Sequence, residues 1–295
     1  MDRQRPADPR RPDARPRRRA RRGGRGVTGG TVGSNLRAAG ARPVERSRED
    51  RARPVRHGVV YAVASGKGGV GKSVLSILTA RELQRRGKRV LLVDDSSLDG
   101  NLHLLLGAGP VPPSDEVTGE EADPDAPIEI LENLSLLPPG SDRPGSTPLD
   151  ARRRVRDYMD RSTRFDRFDR VVIDAGQGIE GVLRAAIRCD RFLLIVVPEP
   201  VSLSDGYALI KVLTLHDRGI PVDLVVNRCA GPEGAAHVHS LLDLACRRFL
   251  GRGLPLCGWV PEDPDLRRAA PTPGGILSVD PALVGPLVSE LEATG

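Results

Sequence analysis

Short apolar runs alternate with amphipathic stretches along the chain from about residue 57 onward. The runs that predict buried strands are 59–64, 88–94, 134–137, 170–176, 192–197, 222–226 and 256–260. They are continuously apolar, which is typical of parallel strands covered on both faces by helices. Helices are predicted between them, for example at 203–215 and 234–250. The order of the elements therefore predicts an α/β fold, with a mostly parallel sheet between two layers of helices.

The stretch Gly66–Ser73 lies between the first predicted strand and a helix that ends before Gly87. It fits the phosphate-loop pattern G-x-x-x-x-G-K-[ST]. Its glycines allow backbone N–H groups to turn around a phosphate, and the helix start adds partial positive charge. We expect Lys72 to contact the terminal phosphates and the Ser73 hydroxyl to hold Mg²⁺. The predicted nucleotide-binding residues of this loop are Gly66, Lys67, Gly68, Gly69, Val70, Gly71, Lys72 and Ser73.

Lysine usage singles out the same loop. Only four of the 45 basic residues are lysines, namely Lys67, Lys72, Lys88 and Lys211, and the first two lie in the loop. Lysine is a compact charge on a flexible stem, whereas the planar fork of arginine does not suit a phosphate cradle. The composition therefore favours a functional loop over a chance match.

Chemically useful residues also follow or end the other predicted strands. They are Asp94, Asp174, Pro198, Asn227 and Pro261. Ligands of parallel sheets bind at the carboxyl ends of the strands, so these positions predict one site together with Ser73. A buried strand that ends in a carboxylate followed by a glycine, as at Asp174 and Gly176, is typical of a Mg²⁺-water ligand opposite a phosphate loop.

Charge divides the chain into two predicted regions. Residues 1–56 hold 18 arginines and six acidic residues, which gives them a net charge of +12. The net charge of the whole chain is +6, so residues 57–295 carry a net charge of −6. With few large apolar residues, 1–56 is predicted to be a disordered tail ahead of one folded domain at 57–295. The tail could contact DNA or an anionic surface by charge alone, could only aid solubility, or could reflect a start codon assigned too far upstream.

The cysteines and the chain terminus exclude several classes of site. The four cysteines, at 189, 229, 246 and 257, form no C-x-x-C pair, so no zinc or iron–sulfur site is suggested. A reduced, cytoplasmic protein is expected. Residues 279–295 lack the basic residues of an amphipathic membrane helix, and no apolar run approaches the ~20 residues of a membrane span. Peripheral contact with a membrane stays open.

Two stretches carry a family resemblance. The loop Lys67–Ser73, with a lysine beside its first glycine, resembles the deviant Walker A loop of the MinD/ParA ATPases. The stretch Pro198–Lys211 resembles the FlhG/FleN (YlxH) flagellar-number branch, as do residues 226–228, 247–251 and 260–264. The resemblance covers roughly residues 57–275. It implies a three-layer P-loop NTPase domain at 57–295 that binds ATP and Mg²⁺.

The resemblance also implies roles for single residues. It implies an ATP-dependent homodimer in which Lys67 reaches the nucleotide of the partner. The implied catalytic residues are Lys67, Lys72, Asp94 and Asp174, with Ser73 and Asp174 serving Mg²⁺. Asn227, Pro261 and Glu262 would hold adenine, although Asn227 is equally well explained as a turn former after a strand.

The first switch departs from the family pattern D-x-D-x-G. The matching positions are Asp94, Asp95 and Ser96, so the carboxylate that aligns the attacking water is missing. Slow ATP hydrolysis is therefore expected, with Asp99 as an alternative source of a carboxylate. The glutamine-containing motif with which flagellar members stimulate a GTPase is not recognisable in residues 1–56. The identity of the protein partner, whether a flagellar GTPase or another activator, is therefore left open by the sequence.

Three functions stay open from the sequence. The first is an ATP-binding dimerisation switch that positions or counts a structure such as the flagellum. The second is an ATP-binding pseudo-enzyme that acts as a scaffold. The third is a DNA-associated partitioning ATPase whose basic tail contacts phosphates. The cysteine pattern disfavours a metal carrier, and the lack of a substrate motif disfavours an amidating ligase.

Overall fold

The computed structural model describes residues 58–95, 101–108, 126–138, 166–176 and 178–293, together with the helical positions 153 and 157. The predicted tail at 1–56, most of the loop predicted at 108–127, and the switch positions Ser96 and Asp99 lie outside the described residues. The helix predicted at 148–164 also lies outside them, apart from the two positions named above.

One sheet organises the described residues. Its eight strands have the order β3-β4-β2-β5-β1-β6-β7-β8. All neighbouring pairs are parallel except β3 with β4. The predicted, mostly parallel sheet is confirmed. The strands are β1 (Val59–Ala64), β2 (Val90–Asp95), β3 (Ile128–Leu131), β4 (Leu134–Leu137), β5 (Arg170–Ala175), β6 (Arg191–Val196), β7 (Val222–Val226) and β8 (Leu256–Trp259).

Helices cover both faces of the sheet. They are α1 (Lys72–Arg85), α2 (Leu102–Leu105), α3 (Ile179–Ala186), α4 (Pro200–His216), α5 (Pro232–Ala245), α6 (Pro264–Ala269) and α7 (Gly285–Ala293). A π-helical turn at Cys246–Leu250 continues α5, and two 3₁₀ turns, Gly275–Ser278 and Pro281–Val284, precede α7. Helices α3 to α5 pack on one face and α1 with the C-terminal helices on the other, which gives two buried apolar clusters.

Some boundaries differ from those predicted. Helix α4 begins at Pro200 and not at Leu203. Proline is well suited to the first turn of a helix, because the N–H that it lacks would have no partner within the helix there. The edge strand β3, helix α3 and the helices after β8 were not predicted. Among the residues that the structure describes, no helix is both long and apolar enough to cross a bilayer.

Candidate nucleotide-binding site

The predicted site residues lie at the carboxyl edge of the central strands. Strand β1 lies between β5 and β6, and the loop Gly66–Gly71 joins its end to α1. Asp94 and Asp174 are register partners on β2 and β5, so their side chains leave the same face of the sheet. Both lie within the ends of their strands and not just beyond them, because each strand continues for one further residue.

The loop has the backbone shape of a phosphate cradle. Gly69 and Gly71 have φ angles of 77° and 91°, in the left-handed region that favours glycine. A Cβ placed at Gly68 or Gly69 would have no atom within 4 Å, so this side of the loop is open. Helix α1 starts at Lys72 without a side-chain cap. Its first N–H groups and its partial positive charge are therefore suited to a phosphate.

Lys72 forms a buried ion pair beside the loop. Its Nζ lies 2.7 Å from Asp174 Oδ1, and the two side chains are 14% and 2% exposed. The Ser76 hydroxyl lies 3.1 Å from the same Oδ1 and 3.1 Å from the Lys72 carbonyl, so its single proton is shared between these two acceptors. Ser73, half-buried, lies next to Lys72 at the start of α1. A hydroxyl and a carboxylate are oxygen ligands of the kind that Mg²⁺ takes, and the ammonium group of Lys72 suits a phosphate.

Lys67 occupies the outer rim of the same loop. Its Nζ lies 2.7 Å from Glu199 Oε2, with 36% and 55% of the two side chains exposed. The hydrogen bond from the Lys67 ammonium lowers the pKa of the Glu199 carboxyl. Ser65 Oγ donates to the Lys67 carbonyl at 2.9 Å, which fixes the backbone there. The Lys67 ammonium is accessible from outside, whereas that of Lys72 is largely enclosed.

The two acidic residues at the end of β2 face opposite sides of the sheet. Asp94 is fully buried, and the backbone N–H of Leu102 donates to its Oδ2 at 3.3 Å. Asp95 still belongs to the strand, so its side chain points to the other face, towards α3. There its Oδ1 lies 3.4 Å from Nη2 of Arg184.

Asn227 contacts the phosphate loop directly. Its Nδ2 donates to the Val70 carbonyl at 2.7 Å, and the residue is 5% exposed. The loop that begins at Pro261 lies beside it, because the Cys229 N–H donates to the carbonyl of Val260 at 3.0 Å. Glu262 in that loop forms an ion pair with Arg267.

The sequence profile of the CobQ/CobB/MinD/ParA nucleotide binding domain matches residues 61–272, which include every element of this site. The chain belongs to this family.

The chain is also similar to individual proteins of known name. The chain is 30% identical over 223 residues to the antiactivator FleN of Pseudomonas aeruginosa, covering 71% of this chain and 76% of FleN. It is 28% identical to the flagellum site-determining protein YlxH of Helicobacter pylori, covering 78% of this chain and 82% of YlxH. The resemblance to the MinD/ParA ATPases, with flagellar members among the relatives, is confirmed.

A solved structure supports the fold. The septum site-determining protein MinD of Pyrococcus horikoshii, complexed with Mg-ADP, superposes with a TM-score of 0.57 at 22% sequence identity, covering 80% of this chain and 95% of MinD. At this identity the likeness establishes the three-layer P-loop fold. The predicted fold class is therefore confirmed.

This MinD/ParA-family chain brings most of its predicted site residues together. Asn227 contacts the loop, Lys72 pairs with Asp174, and Asp94 is the register partner of Asp174 on the neighbouring strand. Their roles in binding and catalysis remain predictions. Three residues near them were missed by the sequence analysis: Ser76, Arg184 and the acidic partner of Lys67, Glu199. A serine at a buried position four residues after Lys72 was a usable signal, because buried hydroxyls need partners.

Proposed function

We propose that this chain is an ATP-binding dimerisation switch that regulates the number or position of flagella and hydrolyses ATP slowly. The observation that carries the proposal is the placement of two loop lysines at one edge of the sheet. Lys72 is enclosed beside Asp174, while Lys67 is exposed on the rim. An enclosed lysine serves a nucleotide bound to its own chain, and an exposed one can serve a nucleotide bound to a second copy.

Mg²⁺ and ATP are the proposed cofactors. The open glycine loop and the uncapped start of α1 fit a triphosphate, and Ser73 with Asp174 would hold Mg²⁺. Bound Mg²⁺ would neutralise phosphate charge. Lys72 would then exchange its contact with Asp174 for the terminal phosphates. That exchange frees the Asp174 carboxylate for water molecules around the ion.

The rim around Lys67 supports a homodimer. Val201 and Ile179 follow the ends of β6 and β5, on either side of β1, and are 57% and 56% exposed. These exposed apolar side chains would become buried if a second copy docked on this edge of the sheet. Lys67 would leave Glu199 when it reaches the nucleotide of the partner, so dimerisation would break the ion pair seen in the single chain.

Slow hydrolysis is supported by the end of β2. Asp95, the carboxylate next to Ser96, pairs with Arg184 on the face opposite Asp94. It is therefore badly placed to act as a base near the phosphates. A positioned general base typically contributes ~10²–10⁴-fold. If turnover proves negligible, the chain is a nucleotide-dependent scaffold, and its switching would depend on nucleotide exchange.

The flagellar role rests on the relatives. FleN is described as an antiactivator and YlxH as a flagellum site-determining protein. By analogy, the ATP-bound dimer would bind an unidentified protein partner of the flagellar machinery. The basic residues 1–56 leave a DNA-associated role as the second candidate, because 18 arginines would bind phosphates by charge alone.

Gene deletion with complementation tests the role. Deleting the gene should change the number or position of flagella counted by electron microscopy, wild type should restore it, and Lys72→Ala should not. A chain lacking residues 1–56 should also restore the phenotype. Unchanged flagella after deletion, together with altered plasmid or chromosome segregation, would replace the flagellar role with the partitioning role.

A further inference from the structure

We propose that Asn227 is a positioning residue for the phosphate loop, acting on the phosphates of the nucleotide through the carbonyl of Val70. The inference rests on the proposed function, since it assumes that this loop binds a nucleoside triphosphate. It departs from the adenine contact that the family resemblance implies for Asn227.

The contact joins two buried groups that are distant in sequence. Asn227 Nδ2 donates to the Val70 carbonyl at 2.7 Å across 157 positions of the chain. Val70 is 2% exposed and Asn227 is 5% exposed, so water has little access to replace either partner. The Asn227 backbone N–H donates to Val196 at 2.8 Å, which continues the pairing between β7 and β6. The amide is therefore held by the rigid sheet and in turn holds the loop.

Gly71 shows how closely the amide fits. A Cβ at Gly71 would lie 2.5 Å from Asn227 Nδ2, so the amide occupies the space that any other residue would need. Gly71 also has a φ of 91° and immediately precedes Lys72, the first residue of α1. The side chain of Asn227 thus packs against the turn that sets the direction in which the helix starts.

Peptide geometry turns this contact into an effect on phosphate binding. In a trans peptide the carbonyl and the N–H of one unit point in opposite directions. Because Asn227 holds the Val70 carbonyl, the N–H of Gly71 in the same peptide unit is directed away from Asn227. Backbone N–H groups of such loops bind phosphate oxygens. Losing the Asn227 donor would leave a buried carbonyl unpaired and release the orientation of that N–H.

The test compares ATP, which contains the adenine base, with tripolyphosphate, which contains only the phosphates. Asn227→Leu keeps the branched shape of the side chain, at a somewhat larger volume, without a donor, and Asn227→Ser is a smaller second variant. Binding of Mg²⁺-ATP and of Mg²⁺-tripolyphosphate is measured by calorimetry. Both ligands should weaken by the same factor, about tenfold. Unchanged tripolyphosphate binding with weakened ATP binding would show that Asn227 reads the base and would overturn the inference.

The controls separate this inference from the proposed function. A wild-type chain that binds neither ligand contradicts the proposed function itself. A wild-type chain that binds ATP, with variants that bind it equally well, contradicts only the role of Asn227.

A measurement on the wild-type chain avoids any folding defect of the variants. The chain has only four asparagines, so the side-chain amide signal of Asn227 is readily assigned in a ¹⁵N spectrum through its backbone. Tripolyphosphate alone should shift that signal, because the loop carbonyl moves with the phosphates. A signal that responds to AMP but not to tripolyphosphate would overturn the inference.

Discussion

Lys72 Nζ and Asp174 Oδ1 form a buried ion pair 2.7 Å apart, between the start of α1 and the end of β5. Two groups with separate expected roles, one for phosphate and one for Mg²⁺, therefore neutralise each other in the single chain. Removing either partner alone would leave the other as an unpaired buried charge, which is costly. Under the proposed function, a bound nucleotide would replace this contact.

Replacing Lys72 with alanine should abolish Mg²⁺-ATP binding, because the terminal phosphates lose their enclosed positive charge. Calorimetric titration of the folded variant measures this. Lys88→Ala is a matched control, since that lysine contacts Glu292 at 3.8 Å and belongs to no predicted site. Unchanged ATP affinity in folded Lys72→Ala would contradict the assignment of the loop.

The same pair predicts a stability effect. Lys72→Met should lower the free energy of unfolding by about 3 kcal/mol, because Asp174 is left as a buried charge with Ser76 as its remaining donor. Adding Asp174→Asn should restore much of the loss, since the uncompensated charge disappears. Chemical denaturation of the two variants gives the comparison. A double variant no more stable than Lys72→Met would mean that the buried charge is not the cause.

Turnover should respond to the switch carboxylate. Ser96→Asp should speed single-turnover ATP hydrolysis, with little change in ATP affinity, because it restores the family's water-aligning group. Asp95→Ala should have little effect on the chemical step, since Asp95 pairs with Arg184 on the opposite face. If wild type and Ser96→Asp hydrolyse ATP at the same rate and Asp99→Ala is also unaffected, the absence of the switch carboxylate does not limit hydrolysis in this chain. Loss of rate in Asp99→Ala alone would instead place the catalytic carboxylate at Asp99.

The stability of the protein at low pH should depend on the ion pair between Arg89 and Asp169, which is not part of the candidate site. Hydrogen bonds from the Arg89 side chain and backbone lower the pKa of Asp169 to about 2. Since its folded pKa lies below the unfolded value of 3.8, its contribution is present above pH 3.8 and is lost as the pH falls towards 2. The Asp169 side chain is 36% exposed, so the contribution should be only about 0.5–1 kcal/mol.

Unfolding of wild type and Asp169→Asn between pH 5 and pH 2 measures this contribution. The difference in stability between the two proteins should shrink as the pH falls. A difference that stays constant over this range would contradict the assignment.

Continuous apolar runs were sufficient to predict the central strands, because such runs are typical of parallel strands that are buried on both faces. The loop between β1 and α1 was predicted from its glycine and lysine pattern. Strand β3 escaped prediction because it is a four-residue edge strand whose side chains are half-buried or exposed. Helix α3 was not predicted because it begins after Gly178, where no side-chain cap marks the start of a helix in the sequence.

The contacts of the site were harder to predict than its residues. Asp95 meets Arg184 across 89 positions, and Asn227 meets Val70 across 157. Such pairs depend on strand order, which local periodicity does not contain. The loop lysines were found because their spacing and the avoidance of lysine elsewhere are both visible in the sequence.

Light scattering with a non-hydrolysable ATP analogue tests the central claim most directly. Wild type with Mg²⁺ and the analogue should shift from the mass of a monomer to that of a dimer. Lys67→Ala should stay monomeric while still binding the analogue, because its enclosed Lys72 is intact. The matched control Lys211→Ala, at an exposed position of α4, should dimerise like wild type. A wild-type chain that stays monomeric at saturating analogue and high protein concentration, or a Lys67→Ala chain that dimerises normally, would contradict the account.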